Sequence, residues 1–381
     1  MRYFIYLYLF LFAFLLALMF VPLARRLAIR LGVIDQPQGR KAHGQPTPLL
    51  GGLAIYSAFM LTLVLHVAGY FSFQQAGWFA QAFPFLPGEI GRLVHTLPKL
   101  LAISAGATLM VVLGFVDDRR GLNFSYKIKF AIQILAAGLL VAAGVRTDLM
   151  PSPFLNALVT MVWVVGITNA FNLLDNMDGL SAGVALIAAA MLLVITIAQD
   201  QFFSAMALCL LAGALLGFLR YNFPPARIFM GDTGSLFIGF LLAALSITSS
   251  YVVPQSASMI PALMPLLVLS LPIFDTLSVI IIRLRERRPI FQGDRRHFSH
   301  RLVDLGMTAR GAVVFIYLVA ATIGIVAALL PYLPLWGEIL VLLHTVLVYV
   351  MITVLVHIAR RRRQAAEPAP RRQPLPSAEP E

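Results

Sequence analysis

The 381-residue sequence is poor in charge, in acid and in cysteine. Charged residues make up 12% of it, and Asp plus Glu number 17 against 29 Lys plus Arg. A soluble domain is about 25% charged and about 45–50% apolar. This chain is 60% apolar, a surplus that no core of its size can hide. The shortage of charge excludes a soluble enzyme, a DNA-binding module and a disordered scaffold, and makes lipid the solvent for much of the surface. The single cysteine, Cys209, lies in an apolar run, which excludes an intrachain disulfide and a cysteine metal cluster. The phosphate-binding pattern G-x-x-x-x-G-K-[ST] is absent, and no period of 20–50 residues marks a repeat. The net charge of +12 then reads as basic loops beside a membrane, with no nucleic acid as partner.

At about 20 residues per transmembrane helix, the apolar content supplies on the order of ten spans. Runs bounded by charge, Pro or Gly give eleven: 3–24, 51–71, 97–116, 129–145, 154–171, 181–198, 202–219, 234–251, 260–282, 311–330 and 335–358. The predicted fold is all-α, a polytopic integral membrane protein. The first run is too long for a signal peptide and its flanks are reversed. Arg2 precedes it, whereas Arg25, Arg26 and Arg30 follow, so it is predicted to stay as a helix with its N-terminus outside. On that reading 25 of the 29 Lys and Arg fall in inner segments, which places the C-terminus in the cytoplasm. Residues 1–358 are predicted to form one multi-span domain. Residues 359–381 begin with four arginines, are rich in Pro and Ala, and are predicted to be a disordered basic tail facing the lipid surface. The aromatic 72–96 loop is predicted to lie along the outer interface.

The few acids are unevenly placed. Asp117 and Asp118 end the third span in G-F-V-D-D-R-R. Asp175 and Asp178 follow the fifth in N-L-L-D-N-M-D-G-L. Asp232 precedes the eighth in F-M-G-D-T-G-S, Asp275 lies inside the ninth in L-P-I-F-D-T, and His297, His300 and Arg301 stand in the last basic loop. Each has a plain structural reading: Asp232 could be a helix N-cap, and Asp175 and Asp178 a local turn network. Asp275, within an apolar run, needs a partner or a metal. All fall on the predicted cytoplasmic face, and separate loops converging on one face predict a built site. Clustered carboxylates suit Mg²⁺. Lys127, Arg119, Arg295, Arg296 and Arg301 supply cations for a polyanionic substrate. Gly231, Gly234 and Ser235 at a helix start would leave backbone N–H groups for a phosphate. The chemistry these residues suit is phosphoryl transfer at a membrane boundary, between a lipid phosphate and a soluble nucleotide derivative.

The same blocks resemble the polyprenyl-phosphate N-acetylhexosaminyl-1-phosphate transferase family, which includes the WecA-like and MraY-like enzymes. They are D-Q-P-Q-G-R-K-A-H (35–43) with P-T-P-L-L-G-G (46–52), G-F-V-D-D (114–118) with Lys127, N-A-F-N-L-L-D-N-M-D-G-L (169–180), Y-N-F-P-P-A-R-I-F-M-G-D-T-G-S (221–235), P-I-F-D-T (272–276) and H-F-S-H-R-L (297–302). The resemblance implies a bacterial inner-membrane enzyme whose site faces the cytoplasm. It would move N-acetylhexosamine 1-phosphate from a UDP-N-acetylhexosamine to undecaprenyl phosphate and release UMP, with Mg²⁺, or Mn²⁺ in its place. It further implies Asp232 and Asp175 as metal ligands, with Asp117, Asp118 and Lys127 at the acceptor phosphate. Asn172, Asp175, Asp178 and Asn222 would line the nucleotide and diphosphate site, with His297, His300 and Arg301 at the diphosphate or sugar. The branch acting on muramoyl-pentapeptide carries consecutive histidines in its last inner loop. H-F-S-H-R-L lacks that run, which points to the WecA-like branch and N-acetylglucosamine as the sugar. A homodimer is a further expectation. A transporter, the rival class, places its acids near the bilayer midplane and repeats its halves; neither feature is present.

Overall fold

The computed structural model describes residues 2–36, 46–83, 90–121, 124–289 and 296–366. Helix α1 (Arg2–Leu31) is followed by a two-stranded antiparallel ribbon, β1 (Ile34–Asp35) and β2 (Thr47–Pro48), with Ile34 opposite Pro48. Then come α2 (Gly51–Phe73), the short α3 (Gly77–Ala82), α4 (Ile90–Arg120), α5 (Tyr126–Ala142), α6 (Pro153–Leu174), α7 (Leu180–Ala198), α8 (Phe202–Asn222) and α9 (Gly231–Thr248). The chain ends in α10 (Met264–Val268), α11 (Ser270–Arg285), α12 (Phe298–Asp304), α13 (Ala309–Ala327) and α14 (Leu335–Ala366).

Among the described residues nine helices are long and apolar enough to cross a membrane, and the pair Ile260–Val268 and Ser270–Arg285 passes the same test together but is bent by 68° at its break. The bend has a local cause. Pro272 carries no N–H to continue the ladder and its ring clashes with the preceding turn, so the helix stops at Val268 and restarts at Ser270. The predicted span 129–145 falls on α5, whose 17 residues sit at the short limit for crossing hydrocarbon. Of the eleven predicted runs, nine fall on uninterrupted helices of spanning length, one on the bent pair and one on this short helix. Helix α14 continues past the expected span end at 358 to Ala366, and arginines are good helix formers. Residues 367–381 lie outside the described residues. In the 72–96 segment, predicted to be a loop, α3 and the start of α4 are helical.

Burial sorts the helices. In α14 only 17% of the apolar window is buried, whereas in α9 it is 83%, so α14 is a lipid-facing outer helix and α9 the axis of the bundle. Helices α2, α4 and α6 pack directly on α9. In lipid no hydrophobic force drives helices together, so packing depends on close backbone approach at small residues. Glycines supply it here. A Cβ on Gly52 would lie 2.0 Å from the Gly234 nitrogen, and one on Gly114 would lie 2.4 Å from the Asp232 carbonyl carbon. The glycines of G-G (51–52), G-F-V-D-D and G-D-T-G-S thus bring the site ends of α2, α4 and α9 into backbone contact.

Candidate active site

One end of the bundle gathers the ends of α4, α5, α6, α8 and α9, and with them Asp117, Asp118, Asp175, Asp178 and Asp232. The α9 start is built first. Its leading N–H groups lack helical partners, and Asp118, from the last turn of α4, accepts them. Asp118 Oδ1 accepts the Asp232 N–H at 2.8 Å, and Oδ2 accepts Thr233 N–H at 3.0 Å and Thr233 Oγ1–H at 2.6 Å. A carboxylate against the positive end of the helix dipole is favourable. Gly231, at φ +70°, leaves room for it: a Cβ there would lie 2.5 Å from Asp118 Oδ2. The α9 N-terminus holds a protein carboxylate where a phosphate was expected, and Asp118 has both oxygens committed to holding α9.

Asp117, the neighbouring residue, turns to the other side and pairs with Lys129 of α5. Lys129 Nζ also donates to Asp232 Oδ2 at 2.5 Å. The other Asp232 oxygen accepts from Asn172 Nδ2 at 2.8 Å, and that amide also reaches Ser235 Oγ at 3.0 Å. Asp117, Lys129, Asp232 and Asn172 therefore form one connected cluster drawn from four helices. Lys127, the expected cation, is exposed and outside it. Residues two apart on a helix point about 200° apart, so α5 can direct only one of its two lysines inward. A signal for the right one was present, since Lys129 begins the apolar run and an ammonium there needs a counter-ion.

Asp175 closes α6, and no described donor bonds its carboxylate. Burial, then the nearby charges of Asp232, Asp118 and Asp178, hold its carboxyl well above the usual carboxylate range. A like-charged, unpaired carboxylate beside Asp232 is a donor set that a divalent cation would neutralise. Among the described residues no three His, Cys, Asp or Glu side chains stand close enough to cage an ion by themselves. Mg²⁺ needs no such cage, being held commonly by one or two carboxylates with substrate phosphates and water. The residues present fit that mode.

Asp178 and Asn222 take structural places. Asp178 Oδ2 accepts the Ala226 N–H at 2.8 Å. Buried Asn222 accepts from Gly179 N–H and donates to Ile228 O, both at 2.9 Å. Both ends of the Asn222 amide, expected at the nucleotide site, staple the 175–180 turn to the 222–230 loop, and buried amides require such partners.

The last basic segment approaches from the far side in sequence. Asp275, buried in α11, finds its predicted partner: Oδ2 accepts from His297 Nδ1 at 2.7 Å and Oδ1 from the Phe298 N–H at 2.6 Å. His297 and α12 are thereby fixed to α11. Ser299 Oγ donates to Asn176 Oδ1 at 2.5 Å, joining α12 to the turn between Asp175 and Asp178. His300 and Arg301 ride on α12, and Arg301 Nη2 donates to Ser278 Oγ at 2.8 Å. Arg296 pairs with Glu286, and Arg119 is exposed. Arg295 and the D-Q-P-Q-G-R-K-A-H block beyond Gln36 lie outside the described residues.

The chain is similar to known proteins over most of its length. The profile of glycosyl transferase family 4 matches residues 100–250, the stretch holding Asp117 through Asp232. A Bacillus subtilis protein named "Probable undecaprenyl-phosphate N-acetylglucosaminyl 1-phosphate transferase" is 34% identical, covering 84% of each chain. The decaprenyl-phosphate N-acetylglucosaminephosphotransferase of Mycolicibacterium smegmatis is 33% identical over 90% of this chain and 86% of its own. The undecaprenyl-phosphate alpha-N-acetylglucosaminyl 1-phosphate transferase of Escherichia coli K12 is 26% identical over 87% and 86%.

Proposed function

The chain belongs to glycosyl transferase family 4, and from that premise we propose that it transfers N-acetylglucosamine 1-phosphate from UDP-N-acetylglucosamine to undecaprenyl phosphate. The observation that carries the reading is the Asp117–Lys129–Asp232–Asn172 cluster at one end of a membrane-spanning bundle. It is a site with both charge signs where a lipid phosphate and a nucleotide could meet. A separate apolar groove of about 370 Å³ is lined by Phe274 of α11 and by Val346, Tyr349, Val350, Thr353 and Val354 of α14.

In this reading a phosphate oxygen of undecaprenyl phosphate attacks, in line, the phosphorus bonded to the sugar O1. The bond from that phosphorus to the bridging diphosphate oxygen breaks, and UMP leaves with the electron pair. A phosphate monoester has a second pKa near 6, so the acceptor is largely dianionic at neutral pH and needs little help from a base. Catalysis then consists mainly of positioning and charge stabilisation. Lys129 offsets charge on the transferring phosphoryl group, Asn172 orients Asp232, and His297 is oriented by Asp275 toward the diphosphate or sugar. Asp232 and Asp175 would hold Mg²⁺, or Mn²⁺ in its place, which when bound supplies neutralisation of the diphosphate. The site is proposed to face the cytoplasm of a bacterial inner membrane, since 25 of 29 basic residues fall on that side of the predicted topology.

The test uses the purified full chain with undecaprenyl phosphate, Mg²⁺ and a panel of UDP-sugars, reading UMP release. UMP should appear with UDP-N-acetylglucosamine and disappear in Asp232→Asn. Solute flux through the protein in liposomes with no UMP from any donor would sink the reading and revive a transporter.

A further inference from the structure

The end of the bundle remote from the carboxylates contains a second built space, a cavity of about 830 Å³. Helices α2 and α4 both pack on α9, and residues of both line the cavity. Leu9, Phe12, Phe59, Leu63, Ile103 and Leu245 give it apolar walls. His66 closes one side and is already paired: Nδ1–H donates to Thr62 O at 2.7 Å, and Nε2 accepts from Tyr8 Oη–H at 3.1 Å. Aromatic rings roof it, with Phe79 edge-on to Tyr70 at 6.2 Å and tilted against Phe83 at 5.2 Å. At the mouth stand Lys99 and His95, both exposed and one helical turn apart on α4, opposite Asp200 and Gln201 on the α7–α8 turn.

Volume, wall chemistry and depth each narrow the occupant. The volume is in the upper part of the range for ligand pockets, about 300–1,000 Å³. Left empty, the walls would forfeit their dispersion contacts, and apolar walls give water too few partners to stay ordered. The walls belong to helices long and apolar enough to cross a bilayer, whose neighbours there are hydrocarbon chains. Aromatic residues mark the headgroup level of a membrane, and here Tyr70, Phe79 and Phe83 line the same cavity as Lys99, a compact cation suited to a phosphate. We propose that the cavity is a glycerophospholipid site, with an acyl chain between α2 and α4 and the phosphate at Lys99 and His95. It would brace these helix ends, while the other end of α4 carries Asp117 of the acidic cluster.

Two variants separate the chain contact from the phosphate contact. Gly69 lines the cavity, and a Cβ there meets nothing within 4 Å, so Gly69→Trp fills the space from a helix that gains propensity. Lys99→Gln removes the cation at an exposed position. Native mass spectrometry of the full chain in mild detergent should show one phospholipid retained through delipidation. Added phosphatidylglycerol should rebind, with affinity at least tenfold weaker in Lys99→Gln and lost in Gly69→Trp. Diacylglycerol, which lacks the phosphate, should bind at least tenfold more weakly than phosphatidylglycerol. Equal phosphatidylglycerol binding by wild type and Lys99→Gln overturns the proposal even if Gly69→Trp fails to fold. Displacement of the retained lipid by undecaprenyl phosphate alone, with no binding of phosphatidylglycerol, overturns it as well and makes the cavity a second acceptor site.

Discussion

Asp118 holds Asp232 in place through the backbone: its Oδ1 accepts the Asp232 N–H at 2.8 Å while its Oδ2 anchors Thr233. Asp117, one residue earlier, makes no such contact and pairs with Lys129. The adjacent acids therefore have separable roles. Asp118→Ala leaves three donors without their acceptor, and each buried donor left unpaired costs about 1–3 kcal/mol. Its melting midpoint in detergent should fall clearly and its activity with it. Asp117→Asn should lose turnover while melting much closer to wild type. An Asp118→Ala protein that melts like wild type and is merely inactive would show that the cap is not its role.

Lys129 bridges Asp117 and Asp232, whereas Lys127 points away from them. Removing a group that stabilises transition-state charge typically costs about 10²–10³ in kcat. Lys129→Met is expected to show a loss of that order in UMP release. Lys127→Met should stay within about twofold, since exposed substitutions move free energies by about 0.5 kcal/mol. The reverse pattern would return Lys127 to the site.

Much of this was legible because a membrane makes polar residues conspicuous. An acid or lysine at a span end stands out against 60% apolar sequence, so Asp117, Asp175 and Asp232 could be read as one site, and Asp275 as a carboxylate in need of a partner. What sequence could not resolve was rotation and direction. The choice between Lys127 and Lys129 depends on which face α5 turns inward, and the Asp118 contact depends on how deeply α4 docks against α9. Asn222 reads equally well as ligand or staple until the loops on either side of it are placed. The broken span was hidden by its own composition, because the 260–285 run is apolar on both sides of the bend.

Gly52 and Gly234 meet backbone to backbone, with 2.0 Å between a Gly52 Cβ and the Gly234 nitrogen. No flexible side chain is available to move aside. Overpacking in a filled core costs about 1–3 kcal/mol, and a rigid backbone neighbour places this site at or beyond the upper end. Gly52→Ala should sharply reduce the monodisperse folded fraction on size exclusion in detergent. Gly138→Ala is the control, since a Cβ there meets nothing within 4 Å. Matching yields from the two variants would contradict the close packing of α2 on α9.

Asp275 fixes the tautomer of His297. Because the carboxylate accepts at Nδ1, a neutral His297 carries its proton there and presents Nε2 as an acceptor. In Asp275→Asn the oxygen can stay with the Phe298 N–H, which turns the amide NH₂ toward the ring and moves the imidazole proton to Nε2. Turnover should fall, and ¹⁵N spectra of labelled histidine should show the tautomer reversed. Lost turnover with an unchanged tautomer would mean that Asp275 acts only by holding α12.

Asp175 gives a pH signature of opposite sign to the usual aspartate. Burial and the charges of Asp232, Asp118 and Asp178 raise its folded carboxyl pKa, so ionisation is harder in the folded protein than in the unfolded chain. Below the unfolded value, about 3.9, both states are protonated and the residue is neutral to stability. As pH rises from there toward the folded pKa, the unfolded state ionises first and the residue becomes increasingly destabilising. Asp175→Asn should therefore melt higher than wild type at pH 7 without divalent cations, with the gain shrinking toward pH 4. Mg²⁺ should reverse the order at pH 7, because bound cation stabilises the wild-type carboxylate and the amide is a poorer ligand. Melting curves at two pH values, with and without Mg²⁺, read both effects. A variant that gains nothing at pH 7 in EDTA would refute the crowding, and a wild type indifferent to Mg²⁺ would refute Asp175 as its ligand.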